Sequence, residues 1–151
     1  MCMLENEVSV TDESGIDAEL WEHVAPEIRS EEWAKAARGA LILTEDRIRK
    51  WAGPPHEEST EQLAVNIFGE RGDFKMGKTA SEEKGWQLFA QGIAKAHRNV
   101  DTHRIQDRPD LKRYALGVLG ACSLLLTQMR YEHGKGFRDT SPADSTEPAG
   151  D

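Results

Sequence analysis

Apolar residues recur at helical spacing in five stretches of the chain, and none of these stretches shows the strict alternation of a β-strand. In the first, over about residues 17–28, Leu20, Val24 and Ile28 repeat every four residues. Pro26 lies inside this stretch, where proline disturbs a helix or splits it. The pattern predicts an all-α protein, folded as a small bundle of about five helices.

The second and third helices have the clearest predicted limits. Ser30 is a residue type favoured at an N-cap, and an apolar stripe at spacings of three and four follows over residues 33–51. Gly53 and the prolines after it are typical of a helix end. A shorter apolar stretch predicts the third helix over residues 60–68, ended by Gly69.

The fourth predicted helix opens with Ser81 as N-cap and carries its core stripe on Trp86, Phe89 and Ile93. Gly85 and Gly92 are seven residues apart and therefore share a face of this helix. Two glycines on one face suggest the close approach of another helix. The alternative is that they are merely tolerated there, at about 1 kcal/mol each.

The fifth predicted helix begins near Asp107–Asp110, with Pro109 in its first turn, and continues to about Glu132. It is apolar on two faces. One carries Leu116, Leu119 and Leu126, and the other carries Leu111, Val118, Cys122 and Leu125. A surface this wide must be buried on more than one side. We therefore expect a core on one side and a second copy of the chain on the other, in a homodimer.

The 151 residues suit one domain with tails at both ends. Residues 1–17 are acidic and lack apolar periodicity, and residues 134–151 are rich in Gly, Pro, Ser and Asp. Both segments are predicted to be disordered, which leaves residues 18–133 as the helical domain.

Three further features of the sequence predict a cytoplasmic protein. The beginning of the chain has no basic and apolar regions typical of a secretory signal. The longest apolar stretch, 114–129, contains three polar residues and is short for a bilayer, so no membrane association is expected. Cys2 lies in a polar segment and Cys122 in an apolar one, which makes a disulfide between them improbable.

The net charge of −8 argues at first against a nucleic-acid partner. However, residues 1–32 hold ten acidic residues and a single arginine, so most of the negative charge lies at one end. Residues 95–113 hold six Lys/Arg against three Asp, together with His97 and His103. Local charge determines where a polyanion docks, although a solvated cluster at helix ends is an equally simple interpretation of this segment.

Several familiar motifs are rejected on context. Residues 72–79 match the letters of a phosphate-binding GxxxxGK[ST] loop, but that loop follows a buried strand, and residues 64–71 are predicted to end a helix. His97, His103 and Cys122 offer no metal-ligand spacing with a third partner. We therefore expect neither a bound metal nor a cofactor.

Arg98 and His103 are the strongest candidates for chemistry. Five residues apart on a straight helix, they would lie about 140° apart around the axis, so they converge only if the helix ends or bends between them. Asn99 and Asp101 tolerate such a turn. A guanidinium can grip a phosphate, and an imidazole can move protons near neutral pH. The alternative is that both side chains only satisfy backbone carbonyls at a helix connection.

The segment 89–104, FAQGIAKAHRNVDTHR, resembles the signature region of the HEPN superfamily, in which Arg is followed by a polar residue, often Asn, then by a few variable residues and His. Arg98, Asn99 and His103 stand at those places. The chain is further similar to the Ymh-type abortive-infection family over most of residues 18–130. This similarity includes Leu20–Val24, the second helix, Gly77–Lys78, Ser81–Trp86 and the closing helix.

The resemblance implies a dimeric helical bundle and a metal-independent endoribonuclease that acts as a toxin or effector in antiviral defence. It implies Arg98, His103 and Asn99 as catalytic residues. His97, Arg104, Lys95 and Arg108 are the candidate RNA-binding residues. An antitoxin or another defence protein is a further expected partner. Ile105 stands where related toxins often carry a tyrosine, so control by adenylylation of that tyrosine is not implied. The alternative function is a non-catalytic helical module that binds a protein or RNA.

Overall fold

The computed structural model describes residues 15–53, 56–97 and 102–134. Within these ranges the chain is helical and contains no strand, which confirms the predicted all-α class. The helices are α1 (Ala18–Arg29), α2 (Trp33–Ala52), α3 (Thr60–Phe68), α4 (Ala80–His97), α5 (Thr102–Gln106) and α6 (Leu111–His133). The bounds of α3 are those expected from the sequence.

The junction between α1 and α2 differs from the prediction. Asp17 caps α1, since its carboxylate accepts the Leu20 amide proton at 3.2 Å, and Pro26 lies within the helix without ending it. Ser30 was predicted to cap α2, which is wrong. Its hydroxyl donates to the Pro26 carbonyl at 2.9 Å and so closes α1. Glu31 then takes a positive φ of 56°, and this turn delays the start of α2.

A similar correction applies to α4, whose predicted cap was Ser81. The Thr79 hydroxyl accepts the Glu82 amide proton at 3.2 Å, and the Glu82 carboxylate accepts the amide protons of Lys78 and Thr79. This reciprocal arrangement is a capping box, and it moves the start of the helix to Ala80. The short helix α5 was not predicted, because five residues are too few to show a helical period.

The α2 helix packs against α1 and α6, whereas α3 packs mainly against α4. One continuous apolar core joins the two groups of helices. Its largest fully buried side chains come from α1, α3, the α3–α4 loop and α6, and include Leu20, Phe68, Met76, Leu126 and Met129. The core therefore holds the α3–α4 hairpin onto the three-helix group.

Charged contacts tie the two ends of the domain together. Arg130 near the end of α6 contacts the carboxylates of Asp17 at 2.7 Å and Glu19 at 3.0 Å. The Asp17 amide donates to the buried Ser123 hydroxyl at 2.8 Å, and Ile16 packs on the core. Ile16 and Asp17, which the sequence assigned to the N-terminal tail, thus contact the bundle.

The predicted core stripe of α4 is confirmed in part. Ile93 is buried and Trp86 and Phe89 are half-buried against the core, while Gln87, Ala90 and Ala94 complete the buried face. Gly85 and Gly92 are exposed, and a Cβ added at either would meet no atom within 4 Å. No helix among the described residues has both the length and the apolar character needed to cross a membrane.

Candidate functional site

The predicted site lies where α4 gives way to α5. Arg98, Asn99 and Asp101 lie outside the described residues. His97 is the last residue of α4 and His103 the second residue of α5, and the structure describes their backbone only. The motif therefore spans the interval between the last described residue of α4 and the start of α5.

Two of the predicted RNA-binding side chains are exposed beside this point. Lys95, on the last turn of α4, has a 74% exposed side chain and lies 3.5 Å from Glu61 of α3. Arg104 is exposed on α5. An exposed ion pair of this kind contributes little free energy, so Lys95 can exchange Glu61 for a phosphate at small cost.

Arg108, the third predicted RNA-binding side chain, is held by protein partners. Its guanidinium donates two hydrogen bonds to the Asp110 carboxylate, at 2.8 and 2.9 Å, and lies 4.3 Å from the centre of the Tyr114 ring. The hydrogen bonds from Arg108 lower the pKa of Asp110 and raise that of Arg108. The structure thus gives Arg108 a role in fixing the turn before α6.

An open cavity of about 420 Å³ adjoins α5 on its buried side. Its walls come from α2, α4, α5 and α6, with Thr60 of α3 beside them, and are mostly apolar: Ala34, Leu41, Ile42, Ile48, Ala90, Ile93, Ala94, Ile105 and Leu125. Charged side chains of α2, Arg38 and Asp46 among them, stand at its exposed margin. The sequence did not reveal this cavity, because its lining residues have the same helical spacing as ordinary core positions.

A polar network stands beside the cavity, in the loop between α2 and α3. Arg49 donates to the carbonyls of His56 at 3.0 Å and Glu58 at 2.5 Å, and also contacts Glu45. His56 Nδ1 lies 2.8 Å from the Glu58 carboxylate, which also accepts a hydrogen bond from Asn66 at 3.0 Å. The contact with His56 is the largest of the effects that lower the Glu58 pKa to about 2. This network fixes the loop against the end of α2.

The loop that matches a phosphate-binding pattern is already filled by the protein's own carboxylate. It follows helix α3, as expected, and not a strand. Gly77 has a φ of 103°, and its amide donates to both oxygens of Glu132, at 2.9 and 3.0 Å. His133 Nε2 lies 2.9 Å from the Lys75 carbonyl and holds the same loop against the end of α6. The role of this loop is structural.

Other reactive side chains of the described residues point to no second centre. Cys122 is buried, and this burial raises the pKa of its thiol to about 11, which suppresses the nucleophilic thiolate. Ser123 is also buried and accepts a hydrogen bond from the Asp17 amide. In the ranges 15–53, 56–97 and 102–134, no group of three His, Cys, Asp or Glu side chains is arranged to hold a metal ion.

Comparison with known proteins identifies the family. A family model described as "Protein of unknown function (Hypoth_ymh)" matches residues 14–129. The chain belongs to the Hypoth_ymh family. Searches of curated proteins and of solved structures found no match. The matched range runs from the start of α1 through most of α6, and so includes the Arg98–His103 motif and the walls of the cavity.

Proposed function

We propose that this protein is a metal-independent endoribonuclease of the HEPN type, which serves as a toxin or effector in antiviral defence. The observation that carries the proposal is the position of the Arg98–His103 motif between the end of α4 and the start of α5. Exposed Lys95 and Arg104 flank this position and favour a polyanionic substrate. The acidic N-terminal segment lies at the other end of the sequence.

In the proposed reaction, His103 acts on the ribose 2′-hydroxyl of RNA. The imidazole takes the hydroxyl proton while the 2′ oxygen forms a bond to phosphorus, and the bond from phosphorus to the 5′ oxygen breaks. The leaving 5′ oxygen receives a proton from a His103 imidazolium. Arg98 stabilises the negative charge on the phosphate during this step, and Asn99 orients the phosphate or the imidazole.

We further propose that the enzyme works as a homodimer, with the motifs of two copies facing one cleft. Supporting this is the open face of α4, where Leu88 is 54% exposed between the exposed Gly85 and Gly92. Small residues on both sides of a leucine allow a second helix to approach closely. On α6, Leu124 is 51% exposed and adds apolar surface that a partner chain could bury.

Cleavage of single-stranded RNA by purified variants tests the proposal. His103→Ala and Arg98→Ala should each lower the cleavage rate at least about a hundredfold, the usual effect of removing an acid–base group or a charge clamp. His23→Ala and Arg29→Ala, at exposed positions of α1, are the matched controls and should cleave like the wild type. Unchanged cleavage by His103→Ala would contradict the proposal. A wild-type protein that binds RNA or a partner protein without cutting would support the non-catalytic module instead.

A further inference from the structure

The cavity beside α5 has the size and chemistry of a ligand site. Its volume of about 420 Å³ lies within the usual range for small-molecule pockets. Ile105 of α5 and Ala94 of α4 line it, and these residues are two positions after His103 and four before Arg98. A group that fills the cavity would therefore contact α4 and α5, the two described helices on either side of the motif in the sequence.

The margin of the cavity narrows the choice of ligand. Arg38, Ile42, Glu45 and Arg49 follow one another at spacings of three and four along α2, and Asp46 stands beside them. Two positive and two negative side chains give this margin no net charge, so it does not favour a strongly anionic group inside. A flat, neutral and largely apolar ring with hydrogen-bonding edges fits both the walls and the margin. Nucleobases have this chemistry, and unstacked bases bind in such pockets against apolar side chains or guanidinium planes.

We propose that the cavity binds one unstacked nucleobase of the RNA. This inference rests on the proposed function, because RNA is the ligand in both. The base enters past Ile42, its edges meet the charged side chains of α2, and its phosphate stays outside near Lys95 and Arg104. The pocket thereby sets a preference for the base at one position of the bound RNA.

Binding of an abasic series of RNAs to the full-length protein tests the pocket without requiring cleavage. The RNA is a labelled single strand of about eight nucleotides, with one base removed at a time, and binding is followed by fluorescence anisotropy. His103→Ala serves as the background so that the RNA stays intact. Removal of the base that occupies the pocket should weaken binding at least about fivefold, while the other positions should change little.

The matched variants are Ile42→Glu and Tyr131→Glu. Both residues are exposed hydrophobics, at 54% and 83%, but only Ile42 lines the cavity. Ile42→Glu should remove the dependence on the one base, and Tyr131→Glu should keep it. Thermal melts verify that both variants fold.

Three outcomes would contradict the binding of a base in the cavity. They are no RNA binding, an equal loss of affinity at every abasic position, or a position-specific loss of affinity that persists in Ile42→Glu. A change of oligomeric state in Ile42→Glu would also overturn it and would make this face a contact between chains. Wild-type cleavage with equal abasic losses would reject the pocket alone. A position-specific loss without any wild-type cleavage would keep the pocket and reject the nuclease.

Discussion

The three-helix group of α1, α2 and α6 differs from the hairpin of α3 and α4 in the contacts that hold it together and in the surface that it leaves exposed. The first is closed by a tight core and by Arg130, which reaches across from α6 to Asp17 and Glu19. The hairpin shares the core through Phe68 but leaves one side of α4 open, with Leu88 exposed. The difference indicates that the contacts of Arg130 close the first group, while the hairpin leaves an apolar face of α4 open; both groups contribute walls to the cavity.

The largest expected contrast between the two regions comes from truncating an apolar side chain in each. Leu126→Ala in α6 should lower the free energy of unfolding by about 2–5 kcal/mol, because it leaves a void in a fully packed core. Leu88→Ala in α4 should change it by no more than about 0.5 kcal/mol, because this leucine is already exposed. Urea denaturation measures both. Equal losses would show that the open face of α4 is packed in solution.

The ion pairs of the three-helix group should have the next largest effect. Arg130→Met removes contacts to Asp17, whose side chain is only 5% exposed, and to Glu19. We expect a loss of about 1–3 kcal/mol in the free energy of unfolding, since hydrogen bonds between charged groups are lost and a largely buried carboxylate loses its guanidinium partner. Lys50→Met, which breaks an exposed pair with Asp46, is the control and should cost at most about 1 kcal/mol. A smaller loss for Arg130→Met than for Lys50→Met would contradict this account.

On the hairpin, a charge placed on the open face of α4 should weaken dimerisation and leave the free energy of unfolding unchanged. Leu88→Glu should weaken the proposed dimer about tenfold or more, because a carboxylate would be buried against a second apolar surface. Sedimentation velocity over a range of concentrations measures the monomer–dimer equilibrium. His23→Glu, at an exposed position of α1, is the control. A wild-type protein that stays monomeric at micromolar concentration would contradict the dimer.

The smallest effect concerns the loop that joins the two regions. Hydrogen bonds, of which the one with His56 has the largest effect, lower the Glu58 pKa from 4.5 to about 2, so this ionised carboxylate stabilises the fold above pH 4.5. That contribution is lost as the pH falls from 4.5 towards 2. Glu58→Gln should therefore flatten the fall of the urea midpoint across this window, relative to the wild type. Glu57→Gln, an exposed neighbour, is the control, and an identical fall in all three proteins would contradict the assignment.

The contrast between regions also explains what the sequence could and could not predict. Helical spacing identified the buried faces of α1, α2 and α6, because a closed core repeats at the helical period. On α4 it identified Ile93, which is buried, and Trp86 and Phe89, which are half-buried against the core, but it missed Ala90 and Ala94. Small residues such as these alanines add little to an apolar stripe.

The cavity was beyond the sequence for a different reason than the caps. Ser30, Thr79 and Ser81 are all acceptable caps, and the one used at α4 forms a capping box with the glutamate three residues later, a local pattern that the sequence contains. Ile105 was noted only as the residue in place of a tyrosine, although the structure places it in the wall of the cavity. Whether an apolar side chain fills the core or borders a cavity depends on the distance between helices. The spacing of residues along one helix gives no information on that distance.

Chemical analysis of the cleavage products tests the central claim most directly. An RNA substrate with a single 2′-deoxy substitution at the cleaved nucleotide is compared with the all-ribose strand in excess EDTA. We predict that the all-ribose strand is cut, with a 2′,3′-cyclic phosphate or its hydrolysis product and a 5′-hydroxyl at the new ends. The substituted strand should stay intact there, because the attacking 2′-hydroxyl is missing. Cleavage that requires Mg²⁺, leaves a 5′-phosphate or proceeds at the 2′-deoxy position would contradict the proposed mechanism.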